Sequence, residues 1–453
     1  MIFKLHEYII PTWYFNLKPS KDYGYFTDVS SDPDLARKIP VDSSYQSEEA
    51  QRRDQAYRAF ELGVIDRTKN TVSGIDVWSE QTKLPLVDEY RFIRKFHHPL
   101  RVLFTLIIRV LSLKNPFAEV SAYLKSKGHM AKDNFNRDHV KYPDFETFDC
   151  ELLKEAPLVS IVIPTLNRYE YLDDVFRDLE KQTYTNFEVL VADQSEPYRE
   201  DFYDNWKLDI KPWFQPEKAL WLARNTAIQR ASGSIIALTE DDVRFEPTWL
   251  EHHLRCLEYF NTDISSGVFF PEGATIPPHR NYFKYSAQLA TGNVVLYKHI
   301  FETCGMFDRN FEKQRMGDGE YGMRAYLNGF KSVSNPKAYC EDVKAPVGGL
   351  RQMGSWDAFR PKSFWAPRPI PSVLYFFRTY FSSKAVWVSV IANLPPSVIP
   401  YKFKQVKWLK PLGLLLTLVL IPFLIVQFMR SWKRSSKMLK SPKIAPFKAE
   451  AIS

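Results

Sequence analysis

The stretch Ser234-Ile-Ile-Ala-Leu-Thr-Glu-Asp-Asp-Val243 passes from an unbroken apolar run straight into three carboxylates. A short, continuously apolar run suits a strand covered on both faces of a sheet. Two further runs of this kind lie upstream. Leu158-Val-Ser-Ile-Val-Ile-Pro164 ends in Pro-Thr, and Asn186-Phe-Glu-Val-Leu-Val-Ala-Asp193 ends in an acid. Helical patterns over Tyr169 to Gln182 and Trp221 to Ala231 separate the three runs. Strands alternating with helices predict βαβ units and an α/β fold, with a mostly parallel sheet and helices on both faces. Ligands of such sheets bind beyond the carboxyl ends of the strands. Thr165, Asp193 and Glu240 to Asp242 are therefore expected on one edge.

The 453 residues provide for two to three domains and a real core. Net charge is +8, unevenly spread. Between Asp357 and Glu450 there is no acidic residue against sixteen Lys or Arg, which leaves the rest of the chain net negative. Basic residues flanking apolar segments point to an anionic membrane surface as partner and away from nucleic acid. The four cysteines are widely spaced, without a CxxC or metal-ligand pattern, and read as reduced thiols. Met1-Ile-Phe-Lys-Leu-His-Glu lacks the features of a secretory signal, so export is not expected.

Residues 1–150 form an extension of unassigned role. A helix is expected near Ser47 to Leu62, and a core or interfacial helix over Leu100 to Leu113, too short and too basic to span a membrane. Residues 157–356 hold the alternating pattern, and 357–453 form a basic helical tail. Its uncharged stretch 411–429 is interrupted by Pro422 and flanked by lysines and arginines. A kinked, re-entrant or in-plane membrane helix fits this as well as a full span; a core helix of a soluble domain is the alternative.

On extended backbone Glu240 and Asp242 point the same way. Two such oxygens suit Mg²⁺ or Mn²⁺, which keep positions for phosphate oxygens. The alternative is that these acids favour the N-terminus of the helix begun by Pro247-Thr-Trp. The ordered set of motifs resembles the inverting glycosyltransferases of family 2, with an A-type nucleotide-sugar-binding fold, over Leu158 to Arg351. Val159-Ser-Ile-Val-Ile-Pro-Thr-Leu-Asn-Arg168 resembles the opening strand and turn. Gln182 to Ser195 resembles the segment whose aspartate receives the donor base. Leu222-Ala-Arg-Asn to Gly233, Gly292-Asn-Val-Val-Leu-Tyr, Gly305 to Phe311 and Met316-Gly-Asp-Gly-Glu-Tyr-Gly-Met-Arg324 follow in family order.

The resemblance implies Thr165, Asp193, Arg224 and Asp241 on the donor, and Glu240 and Asp242 on a divalent cation, Mn²⁺ or Mg²⁺; Asp342 stands where the family commonly has a histidine ligand and could replace it there as a hard oxygen donor. It implies Asp318 as general base, and Glu320, Asn293 and Trp356 on the acceptor side. Without it, Asp193 reads as a turn residue, Asp318 and Glu320 as helix-start acids, Asp342 as a loop acid and Trp356 as core. Gly348-Gly-Leu-Arg351 is either a flap that meets the diphosphate or a plain turn. Three departures stand out: Gly317 where a glutamate is usual, Ala219 where a glycine is usual, and Gln194 after the donor aspartate. The implied partners are a UDP- or dTDP-type sugar donor and a glycan or lipid-linked acceptor, at the cytoplasmic face of the cell membrane. A non-catalytic scaffold of the same fold is the rival reading. A sugar-nucleotide-forming transferase fits less well, because Pro164-Thr-Leu-Asn-Arg is not a glycine-rich loop.

Overall fold

The computed structural model describes residues 1–67, 74–79, 83–128, 134–286, 289–346, 349, 358–361, 363–400, 403, 406 and 409–447. The three apolar runs form parallel neighbours: β1 (Val159–Thr165), β2 (Phe187–Asp193) and β4 (Ile235–Thr239). Every residue of β1 and β4 is buried, as a sheet covered on both faces requires. A parallel edge strand, β3 (Ile210–Phe214), adds to β2. The other half is mixed: β5 (Val243–Phe245), β6 (Ile264–Pro271), β7 (Lys284–Tyr285), β8 (Asn293–Tyr297) and β9 (Ser332–Asp342). Strand order is β3-β2-β1-β4-β8-β6-β9-β5, with β7 pairing β9.

Register fixes the ligand edge. Thr165 lies opposite Asp193, Thr239 opposite Asn293, Pro271 opposite Asp342, and Val243 opposite Asp342. The carboxyl ends of β1, β2, β4, β6 and β9 thus meet where the antiparallel strands β5 and β8 begin. The helices Tyr169–Leu179 and Trp249–Tyr259 cover one face through Leu172, Val175, Phe176, Leu250 and Leu254. The other face is shared. Val162, Leu190, Ile236 and Leu238 belong to one continuous core with Phe3, Tyr57 and Phe92 from the N-terminal extension and Val373, Phe376 and Val386 from the C-terminal region. The extension therefore builds the domain's second layer and carries only a small apolar cluster of its own, around Val29, Ile39, Ala59 and Leu62.

Two histidines in this body are buried in neutral form. Burial brings both His6 and His253 down to about 3. An unfolded histidine titrates near 6.5, so below that pH the unfolded chain binds protons that the folded one does not. Stability is expected to fall as pH drops from about 6.5 towards about 3, by about 1.4 kcal/mol per pH unit for each histidine. Urea midpoints at pH 7.5 and 5.5 check this; equal midpoints would contradict neutral burial.

Candidate active site

A cleft of about 420 Å³ opens at the ligand edge, and Arg224, Glu240, Asp318 and Asp342 line it together. Each comes from a different element: the helix Leu220–Arg230, the bend after β4, the start of the helix Gly317–Leu327 and the end of β9. Arg280, Lys313, Arg315 and Lys344 also line it, so basic side chains outnumber acids. Such a wall favours an anionic ligand.

Arg224 is buried against Thr291, donating to its Oγ1 at 2.8 Å and to its carbonyl at 2.9 Å. Its guanidinium stands 3.9 Å from Glu240, and among the described residues its Nε finds no acceptor. Burial brings Arg224 down to about 10, against the pull of Asp318, so it stays charged at neutral pH. A buried, charged, incompletely paired guanidinium on a cleft wall is a site for an oxyanion.

Asp318 sits at the first turn of its helix and accepts from the Gly319 N–H at 2.8 Å. Burial raises its pKa, while that hydrogen bond, Arg224 and Arg315 pull the other way. Met316 before it holds a left-handed backbone, φ 73°, which is costly for a side-chain-bearing residue and aims the next turn at the cleft. Tyr14 from the N-terminal extension donates to the Gly319 carbonyl, so the extension seats the turn that presents Asp318.

The acidic triplet departs from expectation. Strand β4 ends at Thr239 and the chain bends at Asp241 and Asp242, so the i, i+2 rule for extended backbone does not apply. Glu240 faces the cleft, with its carboxylate near Gly292 and Arg224. Asp241 and Asp242 instead share Arg168, whose Nη1 lies 2.8 Å from one and 2.9 Å from the other. Thr165 donates to Asp241 at 2.8 Å, and the Ala345 N–H to Asp242 at 3.2 Å. Among the described residues no three acids gather as a ready metal cage, so the expected set Glu240, Asp242 and Asp342 is not assembled. A closer fit is the pair Asp242 and Asp342. The pKa of Asp342 is raised by burial first and by the charge of Asp242 second. Two carboxylates that repel each other, one of them lining the cleft, suit a cation that takes one or two carboxylates and leaves positions for phosphate.

Asp193 is fully buried and already engaged: Tyr169 and Tyr203 hydroxyls donate to its Oδ2 at 2.7 and 2.8 Å, and the Ser195 N–H to Oδ1 at 2.8 Å. Two acceptor-side expectations are corrected. Asn293 does not line the cleft. Its Oδ1 accepts from Trp249 and His253, and its Nδ2 donates to the Ala338 carbonyl at 2.9 Å, which fixes three elements inside the sheet. Glu320 is buried in a two-point pair with Arg324, at 3.0 and 2.7 Å, and accepts from Tyr380, so it locks its helix to the C-terminal region. Trp356, Gly348 and Arg351 lie outside the described residues.

The three departures have structural partners. The Ala219 N–H donates to Gln194 Oε1 at 2.6 Å, so two of them are one contact. At Gly317 an added Cβ would lie 2.3 Å from the Trp221 ring, which fills the space a glutamate would need. Gly317→Ala is expected to lower stability by about 1–3 kcal/mol, the usual cost of overpacking, and to reduce turnover by displacing Asp318. A thermal midpoint and a turnover rate both equal to wild type would contradict this. Sequence reasoning gave no role to Arg168, Tyr169, Tyr203, Trp221 or Tyr14. Arg168 carried a signal, as a base closing the Pro-Thr-Leu-Asn turn at the acidic edge; Tyr14 carried none.

The sequence profile of the family described as Glycosyl transferase family 2 matches residues 160–312. Through this segment, about a third of the chain, the protein is similar to that family. The "Glycosyltransferase AglE" of Haloferax volcanii is 29% identical over 166 residues, covering 34% of this chain and 53% of that protein. The "Chondroitin synthase" of Escherichia coli is 27% identical over 168 residues, 34% of this chain and 24% of its own length. The chain thus spans about half, or less, of the length of these relatives. Among solved structures, S. aureus TarS 1–349 in complex with UDP-GlcNAc aligns at 15% identity and a TM-score of 0.41, covering 62% of this chain and 91% of that one.

Proposed function

We propose that this protein is a metal-dependent inverting glycosyltransferase that moves a sugar from a nucleoside diphosphate donor to a glycan or lipid-linked glycan. Cell-surface polysaccharide synthesis at the cytoplasmic face of the membrane is the setting. The observation that supports it most is the cleft that Arg224 and Asp318 share, a fixed cation for phosphate beside a carboxylate of raised basicity. The family match over residues 160–312 and relatives described as a chondroitin synthase and an O-antigen biosynthesis protein agree with it.

In this reading Asp318 accepts the proton of the acceptor hydroxyl as that oxygen attacks the anomeric carbon. The bond to the diphosphate breaks on the opposite side, so configuration inverts, and the nucleoside diphosphate leaves with the bonding pair. Arg224 holds the phosphate oxygens from one wall. Asp242 and Asp342 would hold a Mn²⁺ or Mg²⁺ ion, which as a Lewis acid neutralises charge on the leaving group. Asp193 would accept the imide N–H of uracil or thymine in exchange for one tyrosine hydroxyl. Raising the pKa of Asp318 strengthens it as a base, and proton transfer of this kind contributes about 10²–10⁴-fold.

The membrane reading rests on the helix Leu409–Lys440, which by length and composition is able to cross a bilayer. Its packing is inverted: Thr417, Gln427, Ser431 and Ser435 are buried, while Leu418, Val419, Ile425 and Met429 are exposed. Contacts from Gly413 with Ile399 to Trp432 with Trp387 run along it. We read it as lying in the membrane plane with its apolar side in lipid.

The test incubates the full chain and Mn²⁺ with UDP-, dTDP- and GDP-sugars and measures released nucleoside diphosphate. Release from a UDP- or dTDP-sugar, lost on chelation, is expected. Donor binding without release from any sugar would favour the scaffold.

A further inference from the structure

A second exposed apolar surface lies outside the cleft, none of whose lining residues it shares. The helices Pro99–Leu111 and Pro116–Lys125 pack against each other as a hairpin. Inward they present Val102, Thr105, Glu119 and Ala122. Outward, Leu103, Ile107 and Leu111 follow at helical spacing, Leu113 stands in the turn, and Phe117 and Leu124 continue the ridge. Leu113 is 94% exposed, Phe117 85% and Leu111 73%. A water-facing hairpin turns polar side chains outward, and this one does the reverse.

Its charges make the same point. The single acid between Leu100 and Gly128, Glu119, is buried and paired with Arg109 and Tyr90. Lys114 in the turn and Lys125 and Lys127 at the far end are exposed. The surface is thus an apolar ridge rimmed by cations, and its complement is apolar matter with an anionic boundary. The hairpin also shares a packing partner, buried Tyr8, with the C-terminal helices. The Tyr8 ring lies under Arg109 of the hairpin, at 5.7 Å, and under Lys384 of the helix Ser383–Asn393, at 4.3 Å. On that helix Trp387 is exposed and stacks on Trp432 of the long apolar helix.

We infer that the Pro99–Lys125 hairpin is an in-plane binding element for an anionic lipid surface, so that the protein docks by two faces, one from each end of the chain. This extends the membrane reading of the C-terminal helix, and the test separates the two. Phe117→Cys, Leu103→Cys, Ile425→Cys and, as an exposed control, Asp34→Cys each receive an environment-sensitive fluorophore in the full-length protein; the native cysteines are buried. Phosphatidylglycerol-containing vesicles are expected to raise emission about twofold or more, with a blue shift, at 117 and 103 and not at 34. Pure phosphatidylcholine vesicles should give much less. A response at 425 with none at 117 and 103 would overturn the hairpin and leave the C-terminal reading standing. A response at 117 and 103 without one at 425 would support the hairpin and sink the C-terminal reading. Equal responses to neutral and anionic vesicles would overturn the anionic assignment. A blue shift at 117 that grows with protein concentration before vesicles are added would overturn the lipid assignment in favour of a second copy of the chain.

Discussion

Asp318→Asn is expected to lower transfer by about 10²–10⁴-fold while leaving donor affinity within about twofold of wild type. The asparagine keeps the shape and still accepts from the Gly319 N–H, so the turn held by Tyr14 and Met316 survives. What it loses is the ability to take a proton. Asp318 touches neither Asp193 nor the Arg168 set, so donor binding has its own determinants. Turnover and donor dissociation constants measured on the same preparation check this. Equal loss of binding and turnover would mean that Asp318 holds the donor and is not the base.

Arg168→Gln is expected to have the largest effect on stability. Among the described residues the guanidinium is the one cation placed on both Asp241 and Asp242, and removing it leaves two buried carboxylates sharing one region. The pKa of Asp241 is raised by burial and held back by Arg168, so the variant meets both burial and repulsion. Breaking a buried pair on one side costs about 3 kcal/mol or more, and the thermal midpoint in chelator should fall accordingly. Mn²⁺ should restore more stability to the variant than it adds to wild type, because the ion then supplies the missing charge. Midpoints with and without Mn²⁺ decide it; a variant as stable as wild type in chelator, and indifferent to Mn²⁺, would contradict a shared cation seat.

The half of the sheet built from β1, β2 and β4 was legible because burial on both faces leaves an unbroken apolar run. The other half was not. Strand β9 opens Ser-Val-Ser-Asn-Pro-Lys, and β5 and β7 are three and two residues long; pairing, not local pattern, makes them strands. Arg224, Glu240, Asp318 and Asp342, each from a separate motif, line one cleft. Asn293 and Glu320 do not, because a polar residue at an element's end looks alike in sequence whether it faces a ligand or a buried tryptophan. The acidic triplet was misread at one step, the assumption of extended backbone past Thr239. With the bend at Asp241 and Asp242, Glu240 faces the cleft while Asp241 and Asp242 sit on Arg168.

The most direct measurement follows the released sugar itself. Incubated with an α-linked UDP- or dTDP-sugar, Mn²⁺ and no acceptor, the protein should slowly transfer the sugar to water. Early proton spectra, taken before the anomers equilibrate, should show the β-sugar first and nucleoside diphosphate in equal amount, with both signals absent from Asp318→Asn. The α-sugar appearing first, or equal release by Asp318→Asn, would contradict direct displacement driven by this carboxylate.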